Sequence, residues 1–261
     1  MTISSDYRLD CVWIRSRRLK PAIRFYSALL GQPVVQELYN GEIYVFRMSG
    51  GRKLLLDDIR AADIREPNAR PVAVLTVPEL SAAHERAQRL GFAALSPIEN
   101  GTGCLYFICR DADRNAFAVA DRPFPYPGTD GMARGSPIGS EVGGITIPVS
   151  DPDVSRALYE EWLGIAARAE RRTPADGGFG FRFRDGTPVA LAARNGDGEP
   201  HVPALRLQAF DLPAAYRHLK AMQAEVSTGL EDAERGRPIL FRDCDGRLLA
   251  VDPTGPFTGE M

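Results

Sequence analysis

Trp13 and Arg15 stand two residues apart in the stretch Cys11-Val12-Trp13-Ile14-Arg15, a spacing that puts both side chains on one face of an extended strand. An aromatic wall beside a guanidinium suits a flat or anionic organic ligand, held by stacking and bidentate hydrogen bonding. The competing reading has Trp13 filling a core and Arg15 paired with an acid such as Asp57. Tyr44 and Phe46 form a second stripe with Met48, and the pattern alone leaves open which way it faces. Further along, Thr146 lies between the small or rigid residues Gly144 and Pro148, and Arg206 and Gln208 share one face of an otherwise apolar strand. Polar side chains in such a place need partners, supplied by a ligand, by water or by another part of the chain. Cys11 is a candidate nucleophile, because the cation of Arg15 nearby would lower a thiol pKa; a buried, inert thiol is the other reading. With Asp57 it completes a short list of catalytic candidates.

Other chemistry finds little support. No nucleophile elbow, phosphate-binding loop or dinucleotide fingerprint is present. Cys11, Cys104, Cys109 and Cys244 show no CxxC spacing and read as reduced thiols, which implies a cytoplasmic protein. The formal charge of −2 gives no field to gather nucleic acid, and no apolar stretch approaches the length of a membrane span or a signal peptide. A soluble monomer or homodimer with a small-molecule ligand is expected.

The elements that must position these residues repeat four times. Residues 8–60 read as a strand (8–15), an amphipathic helix (19–30) stopped by Gly31, and three short strands (33–39, 42–48, 53–57), with hairpin turns at Asn40-Gly41 and Gly50-Gly51. The order strand, helix, three strands returns at 70–121, 142–194 and 203–252, with helices at 80–90, 153–163 and 213–222. Modules one and three share a phrase, Phe25-Tyr26-x-x-Leu29-Leu30-Gly31 against Leu158-Tyr159-x-x-Trp162-Leu163-Gly164. Modules two and four share another, Phe107-x-x-Arg110-Asp111-x-Asp113-Arg114 against Phe241-Arg242-Asp243-x-Asp245-Gly246. A two-module domain repeated in tandem follows: residues 1–122, a Pro/Gly-rich linker at 123–141, and residues 142–261.

These phrases, in this order, resemble the vicinal oxygen chelate superfamily of glyoxalases, bleomycin-resistance proteins and extradiol dioxygenases. The resemblance covers nearly the whole chain. It implies an α+β fold of four βαβββ modules in two glyoxalase-like domains, each a curved mixed sheet around a cleft with helices outside. Strand alternation agrees: Val12, Ile14, Leu75, Ile145, Ile147, Leu205 and Leu207 fall on a shared apolar face. In metal-using members, His, Glu or Gln ligands come from first and last strands. The matching positions here are Cys11, Val72, Gly144 and Ala204, then Asp57 (or Leu56, by a shift of one), Ala118, Ala192 and Ala250. Most carry no donor, and His84 and His218 fall on solvated helix faces and His201 in a turn, so no cofactor and no metal centre of the family type are expected. Two alternatives stay open: a lyase, isomerase or dioxygenase using a non-standard metal site around Cys11 and Asp57, and an interaction module with filled clefts. In glutathione-using relatives the position matching Arg15 contributes to ligand binding.

Overall fold

The structure, a computed structural model, describes residues 6–39, 41–60, 71–94, 96–101, 103–125, 135–164, 179–194 and 202–254. The N-terminal half runs β1 (Arg8–Ser16), α1 (Leu19–Leu30), β2 (Ile43–Arg47), β3 (Lys53–Asp58), β4 (Ala73–Thr76), α2 (Leu80–Arg89), β5 (Ala93–Ala94), β6 (Glu99–Asn100), β7 (Leu105–Arg110) and β8 (Ala116–Ala120). The C-terminal half runs β9 (Ile138–Val149), α3 (Pro152–Leu163), β10 (Phe179–Arg182), β11 (Pro188–Ala193), β12 (Leu205–Ala209), α4 (Leu212–Ala221), β13 (Glu225–Val226), α5 (Leu230–Glu234), β14 (Ile239–Arg242) and β15 (Leu248–Pro253).

Each half forms one mixed sheet, and the two sheets share one plan. The orders are β2-β3-β1-β4-β8-β7-β5, with β6 on β7, and β10-β11-β9-β12-β15-β14-β13. In each, the first strands of two modules pair antiparallel at the centre (β1 with β4, β9 with β12), so the sheets join modules within a half. The last strand of each module lies parallel to its first, as the intervening helix requires. Glycine stops α1 and α3 as expected: Gly31 and Gly164 sit in the left-handed region at φ 64° and 63°, where a Cβ is strained. Asp151 and Asp211 cap α3 and α4 by accepting backbone N–H groups of the first turn.

Several expectations need correction. Instead of a strand at 33–39 there is a 3₁₀ turn, Gln36–Leu38, and Tyr44 Oη takes the Val35 N–H that a ladder would use. β9 begins at Ile138, inside the expected linker. The strand expected near 165–171 and His201 lie outside the described residues. The helices lie on one face of each sheet, but they are not simply an outer layer. Trp162 of α3 is fully buried against Phe92 (4.6 Å between ring centroids), Phe117 (5.1 Å) and Tyr7 (5.5 Å) of the N-terminal half. Tyr159 and Trp162 give α3 more apolar surface than its own sheet covers, so the helix-bearing faces of both halves join in one core.

Two buried hydrogen bonds fasten that junction, and both use the repeated phrases. Tyr26 Oη donates to Asp243 Oδ2 at 2.9 Å, joining module one to module four. Tyr159 Oη donates to Asp111 Oδ2 at 2.6 Å, joining module three to module two. His218 of α4, expected at a solvated face, bonds through Nε2 to the Ala28 carbonyl oxygen at 3.0 Å. His84 packs its ring edge-on against Phe107 rather than facing water.

Candidate functional site

The alternation of β1 separates its side chains as the sequence implies. Val12 and Ile14 join the large core under the helices. Cys11 joins a small apolar cluster on the other face with Val45, Leu55, Val74 and Ala118, edged by Trp13, Ile43, Ile108 and Phe124. This is the floor of the N-terminal cleft, and Phe124, just after β8, covers part of it. Tyr44 and Phe46 face the opposite way. Both are buried in the helix-side core, 4.8 Å apart, with Phe46 near Tyr26. The β2–β3 register explains this: they stand opposite Leu56 and Leu54, which also face the helices. Neither is placed to meet a ligand in the cleft.

Cys11 is fully buried, and burial together with the nearby Asp10 carboxylate pushes its thiol well above the ordinary value. This is the reverse of activation. The register of β1 on β3 sets Asp57 beside Arg15, and Asp57 is fully buried.

In the C-terminal half, Arg206 lies opposite Gly144, whose missing side chain leaves room for it. Its Nη1 meets Asp252 Oδ1 at 2.8 Å, a pair with side chains 17% and 8% exposed. Gln208 folds over the backbone of Gly143, where an added Cβ would come within 3.1 Å of its Cγ. These two polar residues are thus satisfied or packed within their own half.

Trp13, Arg15 and Thr146 come together elsewhere. β4 follows β1 only as far as the bond from Trp13 N–H to the Val72 carbonyl oxygen (3.0 Å), and β12 follows β9 to the bond from Thr146 N–H to the Ala204 carbonyl oxygen (3.1 Å). Past these points each central strand is met by the other half. Arg247 Nη2 donates to the Arg15 carbonyl oxygen at 2.9 Å, and Asn115 Nδ2 donates to the Pro148 carbonyl oxygen at 2.9 Å. Between the two strand ends lies a cavity of about 230 Å³, lined by Trp13, Arg15, Val72, Thr146, Pro148 and Arg247 among others. Trp13 Nε1 is buried, and its N–H acts on the Cys11 thiol. Arg247 is the residue that sequence reading missed: it lies in the repeated phrase of module four, but only the junction of halves brings it here.

A profile of the Glyoxalase/Bleomycin resistance protein/Dioxygenase superfamily matches residues 8–119 and 142–251. The chain belongs to this family. No curated protein matches it in sequence. Among solved structures it is similar to homoprotocatechuate 2,3-dioxygenase from Arthrobacter globiformis (16% identity, TM-score 0.65, covering 100% of this chain and 84% of that one). It is also similar to 2,2',3-trihydroxybiphenyl 1,2-dioxygenase from Sphingomonas wittichii (15%, 0.62, 98% and 93%). A third is the Mn(II)-bound glyoxalase from Novosphingobium aromaticivorans (14%, 0.64, 98% and 89%). At these identities the likeness is one of fold.

The family fold raises the question of a metal in the clefts. The β1–β4 register sets Val74, rather than Val72, opposite Cys11, and Leu55, rather than Leu56, shares the Cys11 face. A metal-binding cysteine must be a thiolate, and here the thiol is buried among aliphatic side chains with its proton held. Among the described residues no three His, Cys, Asp or Glu side chains gather to hold an ion. Among the same residues, no helix is long and apolar enough to cross a membrane.

Proposed function

We propose that this member of the superfamily binds a small aromatic or anionic organic molecule without a metal, in the cavity between its two domains. The observation that carries the reading is the convergence of Trp13, Arg15 and Thr146, which come from different halves, on one cavity. Each half brings a strand end that its own sheet leaves partly uncovered, so the cavity is a product of the tandem arrangement. A mostly apolar lining with few polar groups matches the make-up of small-molecule sites. Trp13 offers a ring face for stacking. The covered floor of the N-terminal cleft, with Phe124 upon it, supports a ligand site outside that cleft. Four free thiols support a cytoplasmic setting.

The test is a ligand panel read by melting temperature and by tryptophan fluorescence. A ligand at 100 times its Kd stabilises the fold by about 2.7 kcal/mol, a rise of roughly 5–10 °C for a chain of this size. The chain has two tryptophans, and Trp162 is sealed in the core, so the fluorescence response reports Trp13. Trp13→Phe should remove the response and weaken binding. Binding that persists unchanged in Trp13→Phe refutes the site. Metal analysis of chelator-free protein provides the second arm: a stoichiometric divalent ion lost on Cys11→Ala would overturn the metal-free reading.

A further inference from the structure

The chemistry of the interdomain cavity is lopsided. Among the described residues of the lining, two side chains carry a guanidinium, Arg15 and Arg247; one carries a hydroxyl, Thr146; none carries a carboxylate. Asp243, which pairs with Arg247, is not among the residues of the lining. Asp243 accepts Arg247 Nη1 at 2.9 Å, and its other acceptor sites go to Tyr26 Oη and to the backbone N–H groups of Asp245 and Arg247. Asp57 lies beside Arg15 across the β1–β3 ladder. Asp243 therefore holds the Arg247 guanidinium without itself lining the cavity.

Thr146 gives its hydroxyl proton to the Pro203 carbonyl oxygen at 2.6 Å, so toward a ligand it can only accept. The wall of β1 with Arg247 brings the two guanidinium groups, whereas the described β9 residues of the lining are apolar apart from this acceptor. About 230 Å³ is available. A dry apolar cavity of roughly 150 Å³ holds a benzene ring, which leaves room here for one ring and a short polar group.

We infer that the cavity takes a small carboxylate carried on a single ring or comparable apolar body, with the carboxylate against Arg15 and Arg247 and the body against Trp13, Val72 and Ile145. The inference rests on the proposed interdomain site and deepens it. An arginine–carboxylate contact is bidentate and charge-assisted, and its neighbours here are largely shielded from water. Arg247 acts as the anchor because Asp243 and the Arg15 carbonyl hold its fork in place.

The experiment compares benzoate and phenylacetate with their neutral amides on the wild-type protein, by calorimetry and Trp13 fluorescence. The acids should bind about 10- to 100-fold more tightly than the amides, the worth of a charge-assisted hydrogen bond. Arg247→Gln should bring acid and amide within about threefold of each other by weakening the acid alone. Ala204→Leu, which fills the cavity from the other half, should lower affinity for both at least tenfold, by overlap with the ligand. Amides that bind wild type as well as the acids overturn the carboxylate assignment while leaving the interdomain site standing. Failure of both to bind or to change Trp13 fluorescence defeats the site itself. The wild-type comparison needs no variant, so it stands even if Arg247→Gln fails to fold.

Discussion

The two tyrosine–aspartate bonds at the domain junction should not be equal, and removing their hydroxyls separately will show it. Asp111 accepts Tyr159 Oη at 2.6 Å, Asn115 N–H at 2.7 Å and Asn115 Nδ2 at 2.7 Å, all from neutral donors. Asp243 accepts Tyr26 Oη, two backbone N–H groups and the Arg247 guanidinium. Tyr159→Phe leaves a buried carboxylate with neutral amide donors alone, whereas Tyr26→Phe leaves one still paired with a cation. A hydrogen bond to a charged group contributes about 1.5–3 kcal/mol, and an undersatisfied buried charge pushes the cost upward. The expected losses are about 2.5 kcal/mol for Tyr159→Phe and about 1 kcal/mol for Tyr26→Phe. The rings stay, so the contacts of Tyr159 with Phe92, Phe117 and Trp162 are kept. Guanidinium unfolding at pH 7.5, with a slope of about 5 kcal/mol/M, should show midpoint shifts of about 0.5 M and 0.2 M. Equal shifts, or a larger one for Tyr26→Phe, would refute the idea that Arg247 compensates Asp243.

Three further outcomes are expected. Burial raises the pKa of Asp111, so its contribution is most favourable below the unfolded value of about 3.9 and is lost as pH rises through the folded value. The stability of wild type relative to Asp111→Asn should therefore fall as pH rises above about 4; a difference that grows with pH would contradict this. Burial also raises the thiols of Cys11, Cys104 and Cys109, and that of half-buried Cys244 to about 11, so native protein at pH 8 should react slowly with a thiol reagent, Cys244 first. Rapid modification of Cys11 would restore it as a nucleophile. Gly31→Ala forces a Cβ into a left-handed helix end at φ 64° and should cost about 1 kcal/mol, read as a melting temperature lower by roughly 2–4 °C. No change would mean that α1 ends differently in solution.

The repeated phrases were visible in the chain, but their partners were not. Tyr26 and Asp243 lie in different modules, and nothing local says that a hydroxyl in the first reaches a carboxylate in the fourth. Arg15 and Arg206 looked alike as arginines on inward faces. Register distinguished them: Arg206 is drawn to Asp252 within its own half, and Arg15 ends up on the wall of a shared cavity. Tyr44 and Phe46 were open to either face until the β2–β3 ladder set them beside leucines under the helices.

What the sequence determined by itself was local and periodic. Alternation set which residues of β1, β4, β9 and β12 enter the apolar core, because side chains on a strand must switch faces at each step. Glycine after the last helical turn set where α1 and α3 stop, because that backbone conformation excludes a Cβ. Tertiary structure alone decided what lies between the domains. The cavity, the two tyrosine bonds and the placement of Arg247 depend on how two sheets meet, and that is settled by aromatic surface on α3 and by strand ends that outrun their own partners. Such contacts join residues far apart in the chain, so no spacing in the sequence encodes them.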